Sequence, residues 1–236
     1  MAGLTRAAFA AALYEANTVL AAQVLEAAAR QTPAPLVVLA GSAAEYGLVP
    51  PEAVPVAETQ PCFPATDYAV SKYAQTLMGL ARAASGQRVV VARIWNPVGA
   101  GMPGHLALAN FAAQIAAMPP DGGVLRVGNL DVARDFIGVG ELARLLVALA
   151  DRPDHPHGLV NLCSGRAYVL RDLVEAMIGL SGRRIELVAD PARMRPGEAP
   201  ALFGDTSRLA ALGLQPAAPD FSAILPALLA ASPGPG

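Results

Sequence analysis

Lysine is almost absent from this chain of 236 residues, which contains only Lys72 and takes the rest of its positive charge from arginine. Charged residues make up 15% of the sequence, the formal net charge is −2, and the arginines are scattered. Proteins that bind nucleic acid usually carry a basic patch or stripe. We therefore predict that nucleic acid is not a partner.

Cysteine is scarce as well, and Cys62 and Cys163 lie far apart without a metal-binding spacing. This usage predicts buried thiols in a reducing cytoplasm. Long apolar runs without charge are also missing, because the first helical segment contains Arg6, Glu15 and Glu26. These charges argue against a signal peptide and a membrane span. We expect a cytoplasmic protein that does not contact a membrane.

The sequence does contain a hydrophobic fraction of 54%, arranged in alternating segments that suit helices and strands. Their alternation predicts an α/β fold with a parallel sheet in a three-layer core. Apolar periodicity predicts helices at 5–30, 65–85, 106–118, 138–150, 170–181 and 219–231. Short apolar runs predict strands at 36–40, 88–94, 124–127, 159–163 and 184–188.

Two motifs predict a catalytic group at the end of the first strand. Ser42 follows the apolar run 36–40, and ligands of open α/β sheets sit at the carboxyl ends of strands. Tyr68 and Lys72 lie four residues apart, which places phenol and ammonium on one helix face. There the positive charge favours the phenolate form of the tyrosine.

Each motif also has a purely structural interpretation. A tyrosine and a lysine one turn apart can simply lie on a solvated helix face, and a serine after a strand can simply cap a turn. The strand, the spacing from Ser42 to Tyr68 and the following helix agree with one another, which favours the catalytic interpretation.

Several later segments, taken in order with Ser42, Tyr68 and Lys72, resemble one family. The most specific are Gly-Asn-Leu-Asp at 128–131 with Arg-Asp-Phe at 134–136, and Arg-Pro-Gly-Glu at 195–198. They resemble the extended short-chain dehydrogenase/reductases, in particular the GDP-mannose 4,6-dehydratases and the GDP-4-keto-6-deoxymannose reductases. The further matching segments are 93–99, 110–115, 161–165 and 204–208.

The resemblance implies a truncated Rossmann-like parallel sheet flanked by helices, with a small α/β lobe that binds a sugar nucleotide. We expect the truncated core with the Ser-Tyr-Lys site at 1–95 and a first lobe segment at 96–130. The chain would return to the core at 131–163 and form the rest of the lobe at 164–236.

The resemblance also implies a GDP-sugar as the substrate. Arg134 and Arg195 would hold the pyrophosphate, since the planar guanidinium suits phosphate oxygens. Glu198 would accept the ribose hydroxyls. Guanine would meet Val127 and Asn129. The implied substrate-binding residues are Asn96, Asn110, Val127, Asn129, Arg134, Arg195 and Glu198, whereas Asp135, Asn161 and Asp205 are expected to be structural.

The chain departs from the family at two functional positions. The catalytic glutamate of the dehydratases corresponds to Ala44, and Glu45, one residue on, is expected to face away from the substrate. The reductases have a histidine where this chain has Pro97. The first departure argues against a dehydratase.

The family's dinucleotide site uses a Gly-x-x-Gly-x-x-Gly turn, whose backbone N–H groups hold the pyrophosphate at a helix N-terminus. No such run occurs in the sequence. We therefore predict no bound NAD(P), and any Mg²⁺ or Mn²⁺ would be held by the GDP diphosphate. The strand at 36–40 would then form a sheet edge, covered by the first helix or by a second chain. Because family members dimerise through the helices equivalent to 5–30 and 65–85, we expect a homodimer.

Our first functional hypothesis is a cofactor-independent GDP-6-deoxyhexose isomerase, a pyranose–furanose mutase acting on a sugar such as GDP-fucose. Tyr68 would take the proton of the sugar O4, which would attack C1 as GDP departs. Two alternatives stay open. One is an NADPH-dependent GDP-4-keto-6-deoxymannose reductase represented by a truncated chain, and the other is a non-catalytic GDP-sugar-binding subunit.

Overall fold

The computed structural model describes residues 6–152, 158–194, 197 and 199–231. Its helices are α1 (Arg6–Tyr14), α2 (Leu20–Ala29), α3 (Asp67–Ala84), α4 (Ala107–Ala117), α5 (Val139–Ala150), α6 (Leu170–Ser181), α7 (Ser207–Ala211) and α8 (Phe221–Ala231). Its strands are β1 (Val37–Ser42), β2 (Val89–Ile94), β3 (Asn96–Val98), β4 (Gly123–Val127), β5 (Ala133–Arg134), β6 (Phe136–Gly138), β7 (Gly158–Leu162), β8 (Tyr168–Val169), β9 (Ile185–Ala189) and β10 (Ala201–Leu202).

The core is a parallel sheet in the order β1-β2-β7, with helices on both faces. Successive residues of β2 point to opposite faces. Val89 and Val91 pack with Leu25 of α2 on one face. On the other face, Val90 packs with Leu145 of α5. The predicted α/β class and three-layer arrangement are confirmed.

Among the described residues, β1 pairs with β2 alone and therefore forms an edge of this sheet. Leu25 and Ala28 of α2 share a buried cluster with Val37 and Leu39 of β1. The first helical segment thus covers one face of the edge strand, whereas the expected cover of the edge itself stays a prediction.

The lobe has a hydrophobic cluster of its own. The helices α4, α6 and α8 contribute Ile115, Val174 and Leu228, and the parallel pair β4-β9 contributes Leu125. These four side chains are almost completely buried. Leu209 of α7 lies within the predicted lobe segment but packs in the core cluster beside α5. The segment 164–236 therefore contributes to the core as well as to the lobe.

A strap, residues 48–64, crosses the carboxyl ends of the core strands. The Val56 amide donates to Phe203 O at 2.9 Å, and Val56 O accepts from the Asn161 side chain at 2.9 Å. Glu58 Oε1 accepts from the Asn161 amide at 2.8 Å. The strap is therefore tied to β7 and to the segment that follows β10.

The long helices and strands agree with the sequence-based ranges to within a few residues. The sequence did not predict α7 or the short strands β3, β5, β6, β8 and β10, because segments of two to five residues hardly show a period. None of the described helices is both long and apolar enough to cross a membrane.

Candidate active site

Tyr68 and Lys72 lie in the first turns of α3, where the Thr66 side chain accepts from the Ala69 amide at 3.2 Å and begins the helix. The Tyr68 side chain is 41% exposed, so its phenol is open to a ligand. The i and i+4 positions share one face of α3, as the sequence predicted.

The Lys72 ammonium is fixed at the carboxyl end of β1. Its Nζ donates to Ala40 O at 2.9 Å and to Gln75 Oε1 at 3.2 Å. Gln75 Nε2 donates to the same carbonyl at 3.1 Å. Burial lowers the pKa of Lys72, and the charge of Glu45 partly offsets this effect.

Ser42 ends β1 and begins a 3₁₀ turn, Ala43–Tyr46. Its Oγ accepts from the Ala44 amide at 3.2 Å, and its own amide donates to Glu45 Oε1 at 2.7 Å. Glu45 is fully buried, whereas Ala44 is exposed. Glu45 therefore does face away from the substrate side, although the reason is a 3₁₀ turn and not strand alternation.

A π-helical turn, Glu15–Val19, packs against α3. Asn17 Nδ2 donates to Ser71 Oγ at 3.0 Å, and Thr18 Oγ1 donates to Ser71 O at 3.2 Å. Ser71 Oγ donates in turn to Tyr68 O at 2.8 Å. These contacts hold the α3 backbone beside both predicted catalytic side chains.

A pocket of about 600 Å³ lies between the core and the lobe, a size typical of ligand sites. The first turn of α4 opens onto it, and the N-cap residue Leu106 makes no side-chain hydrogen bond to that turn. The positive end of a helix is a natural site for a phosphate. The pocket brings together four of the predicted substrate-binding residues, Asn96, Asn110, Asn129 and Arg134.

Hydrogen bonds orient these pocket residues. Asn96 Nδ2 donates to Asp135 O at 2.6 Å, and Asn129 Oδ1 accepts from the Asp131 amide at 3.0 Å. Gln114 donates to Asn110 Oδ1 at 2.6 Å, so Asn110 keeps its Nδ2 donors for a ligand.

The remaining predicted residues are placed differently. Val127 does not line the pocket, because its side chain is 4% exposed and its carbonyl accepts from the Asp190 amide at 2.8 Å. Gly128, the next residue, lines the pocket instead. Arg195 and Glu198 lie outside the described residues. Ser42, Tyr68 and Lys72 form a separate group from the residues that line the pocket.

The two groups are adjacent through the sheet. Ser42 pairs with Ile94 in the β1–β2 register, and Asn96 follows Ile94 by two residues. A ligand that extends from the pocket past Asn96 therefore comes towards Ser42.

Sequence reasoning missed His105 and Arg193 in the pocket and Gln75 beside Lys72. The glycine-rich segment 99–104 before α4 is a sequence signal for a phosphate site at a helix N-terminus. Gly128 carries a second signal, because a Cβ there would lie 2.5 Å from Arg193 O. Only glycine allows this close approach of the Arg193 turn.

Asp135 lies between Arg134 and Phe136, two residues that line the pocket. Its carboxylate accepts from the Ser164 amide at 2.8 Å, the Gly165 amide at 3.0 Å and the Gly204 amide at 3.2 Å. Burial raises the pKa of Asp135, and these hydrogen bonds oppose the shift. Its structural role is confirmed. Of the two cysteines, Cys163 is buried as predicted, whereas Cys62 is only partly buried.

Within the described part of the chain, no three His, Cys, Asp or Glu side chains are close enough to form a metal site.

These features define an extended α/β enzyme fold with a Ser-Tyr-Lys group and a nucleotide-sized pocket. Residues 3–163 match the NAD dependent epimerase/dehydratase family, and the chain belongs to that family. It is 35% identical over 167 residues to the GDP-6-deoxy-D-mannose reductase of Pseudomonas aeruginosa, covering 70% of this chain and 55% of that protein. It is 38% identical over 186 residues to the dTDP-6-deoxy-L-talose 4-dehydrogenase (NAD(P)(+)) of Kitasatospora kifunensis, covering 76% and 57% respectively.

Solved structures resemble the chain over most of its length. A putative epimerase from Burkholderia cenocepacia J2315 superposes with a TM-score of 0.81 at 30% identity, covering 98% of this chain and 74% of that one. RMD from Pseudomonas aeruginosa complexed with NADPH superposes with a TM-score of 0.72 at 29% identity, covering 82% and 64%. The chain spans little more than half the length of the two curated relatives.

The prediction of a protein without NAD(P) is wrong, because the family is NAD dependent and one similar structure holds NADPH. That prediction relied on a missing glycine-rich turn, which is only one part of a dinucleotide site. The mutase hypothesis assumed the absence of the cofactor, so it loses its premise.

Proposed function

We propose that this chain carries the catalytic and substrate-binding parts of an NAD(P)-dependent oxidoreductase that interconverts a ketone and an alcohol at C4 of a GDP-6-deoxyhexose. The observation that carries the proposal is the phenol of Tyr68, exposed one turn from an ammonium that is fixed at the end of β1. The likeness to a GDP-6-deoxy-D-mannose reductase supports this choice over other sugar-nucleotide reactions.

The residues present fit the reactive end of a nicotinamide cofactor. Lys72 uses two of its three N–H donors on Ala40 and Gln75, which leaves one for a ribose hydroxyl. The Gly-x-x-Gly-x-x-Gly cradle for the pyrophosphate is not among these 236 residues. When bound, the nicotinamide supplies the hydride to C4 or takes it away.

The chain's own residues handle the proton. During reduction, Tyr68 donates its phenolic proton to the oxygen on C4, and Lys72 stabilises the phenolate that remains. The Ser42 Oγ accepts from the Ala44 amide, so its own O–H can donate to the same sugar oxygen. In the reverse direction, Tyr68 accepts the proton as C4 becomes a ketone.

The pocket suits the diphosphate of the substrate. The N-terminus of α4 and Arg134 place positive charge on the pocket wall, and Asn110 adds a neutral donor. Of the curated relatives, one is named for a GDP-sugar and another for a dTDP-sugar. We propose GDP, because the segments at 128–136 and 195–198 resemble those of GDP-sugar enzymes.

We further propose that the chain acts as a homodimer. Exposed apolar side chains lie on the first helical segment and on α3, which pack against each other. The exposed side chains are Val19, Leu20, Val24, Val70 and Leu77.

The test is NADPH-dependent reduction of GDP-4-keto-6-deoxymannose by the purified protein and by its Tyr68→Phe variant. We expect turnover to fall by roughly two to four orders of magnitude, the usual value of a positioned acid or base. GDP affinity measured by calorimetry should stay the same, because Tyr68 lies outside the pocket. Unchanged turnover in Tyr68→Phe would contradict the proposal, and GDP-sugar binding without any turnover would favour a non-catalytic binding subunit.

A further inference from the structure

A buried ion pair lies directly behind the Ser-Tyr-Lys group. Arg93 Nε and Nη2 donate to Glu45 Oε2 at 3.1 Å and 2.7 Å, and the two side chains are 1% and 0% exposed. The Arg93 guanidinium also stacks 4.3 Å from the centre of the Tyr46 ring. A buried ion pair whose guanidinium stacks on an aromatic ring holds its carboxylate in one orientation.

The other oxygen of this carboxylate reaches the end of β1. Glu45 Oε1 accepts from the Ser42 amide at 2.7 Å. A Cβ placed on Gly41 would lie 2.8 Å from the same oxygen, so the carboxylate packs against the Gly41 backbone. Ala40, the residue before, supplies the carbonyl that accepts from Lys72. Three consecutive residues of β1 are thus involved. Ala40 binds Lys72, and Gly41 and Ser42 contact the Glu45 carboxylate.

We propose that Glu45 is a positioning residue for the proton-transfer group, a role that builds on the proposed function. Held by Arg93, its carboxylate fixes the Ser42 amide and hence the backbone that carries the Ser42 hydroxyl. Glu45 does not touch the substrate, because its side chain is completely buried.

Arg93 from β2 pairs with this carboxylate, and Lys72 from α3 and Cys62 from the strap interact with it electrostatically. Tyr46 from the 3₁₀ turn stacks on Arg93. The negative charge of Glu45 raises the pKa of Lys72, so the loss of this charge should make the ammonium easier to deprotonate.

The single lysine makes this effect directly measurable. In protein labelled with ¹³C at the lysine ε-carbon, one resonance reports the titration of Lys72. We expect the pKa of Lys72 to be lower in Glu45→Gln than in the unchanged protein. Glu58→Gln is the matched control, because Glu58 is also a buried carboxylate near an arginine, Arg208, but lies in the strap. It should leave the Lys72 titration unchanged.

Kinetics provide the second readout. Glu45→Gln should lower kcat by about ten- to a hundredfold, the scale expected when catalytic groups are slightly misplaced. KM for the sugar nucleotide should stay the same, since the pocket lies elsewhere. The alkaline limb of the kcat profile should move to lower pH. A protein without reductase activity would contradict the proposed function, while the Lys72 titration would still test the role of Glu45.

Two measurements keep the test valid if Glu45→Gln does not fold. Gly41→Ala retains every charge but pushes the carboxylate away from Ser42, so it should lower kcat while the Lys72 titration stays close to that of the unchanged protein. In the unchanged protein, the Ser42 amide should be protected from hydrogen exchange. An unprotected Ser42 amide, or Lys72 titrations that are the same in Glu45→Gln and Glu58→Gln, would overturn the proposal.

Discussion

Tyr46 shows how the core controls the chemistry of a single residue. The ring is 1% exposed, and its hydroxyl donates to Asn161 Oδ1 at 2.8 Å. Burial raises the pKa of Tyr46 to about 12, even though the Arg93 cation opposes this shift. The folded protein therefore resists formation of a phenolate at this position.

This shift predicts a pH dependence of stability. An unfolded tyrosine ionises near pH 10, whereas the folded one holds its proton up to about pH 12. The stabilisation is complete below pH 10 and is lost as the pH rises towards 12, by on the order of 2 kcal/mol. Tyr46→Phe should lose about 1 kcal/mol at neutral pH, from the missing hydrogen bond, and should show less alkaline loss. Urea unfolding at several pH values measures both effects, and an equal alkaline loss in the two proteins would contradict the argument.

The sequence predicted some functional residues and missed others for a physical reason. Tyr68 and Lys72 are one helical turn apart, so their proximity follows from local geometry alone. The pair of Glu45 and Arg93 spans 48 residues and depends on the register of β1 and β2, in which Gly41 pairs with Arg93. No local pattern contains that register.

At the scale of elements, α3 matters most, because it carries Tyr68 and Lys72 and must lie close to the sheet. Gly79 allows this approach. A Cβ there would lie 2.7 Å from Leu39 Cδ1 and 2.9 Å from Val91 Cγ2. Any larger residue has to push the helix or the strand side chains apart.

Two glycine substitutions test this contact against helix propensity. Gly79→Ala should destabilise the protein by roughly 1–3 kcal/mol, because overpacking exceeds the gain in propensity. Gly179→Ala in α6 is the control, since a Cβ there meets nothing within 4 Å. It should stabilise the protein by about 0.5–1 kcal/mol. Chemical unfolding compares the two variants, and stabilisation by both would show that α3 does not need the close approach.

At the scale of the whole molecule, the exposed apolar side chains of the first helical segment and α3 predict self-association. Leu20 and Leu77 are 53% and 49% exposed. The double variant Leu20→Glu/Leu77→Glu should be monomeric in analytical ultracentrifugation, because the new charges would be buried in the interface. Val147→Glu on α5 is the control, since Val147 is 59% exposed and α5 packs on the other face of the sheet. It should stay dimeric. A double variant with the mass of the unchanged protein would exclude this interface.

The sequence by itself determined the α/β class, the long helices and strands, and the proximity of Tyr68 and Lys72 on one helix face, while the catalytic role of Ser42, Tyr68 and Lys72 stays a prediction. All of these depend on periodicity or on spacing within one or two elements, which is information that a linear sequence contains. The same reasoning failed for the cofactor, because a missing motif describes only the residues in hand, whereas the family to which the chain belongs is NAD dependent.

Only the tertiary structure decided which residues meet at the pocket. Asn96, Asn110, Asn129 and Arg134 come from four different elements or loops, and their meeting depends on how the lobe packs against the core. The tertiary structure also places the Glu45 side chain in the core, where it forms an ion pair with Arg93. Burial and pairing of charges are properties of packed surfaces, so they exist only after distant segments have come together.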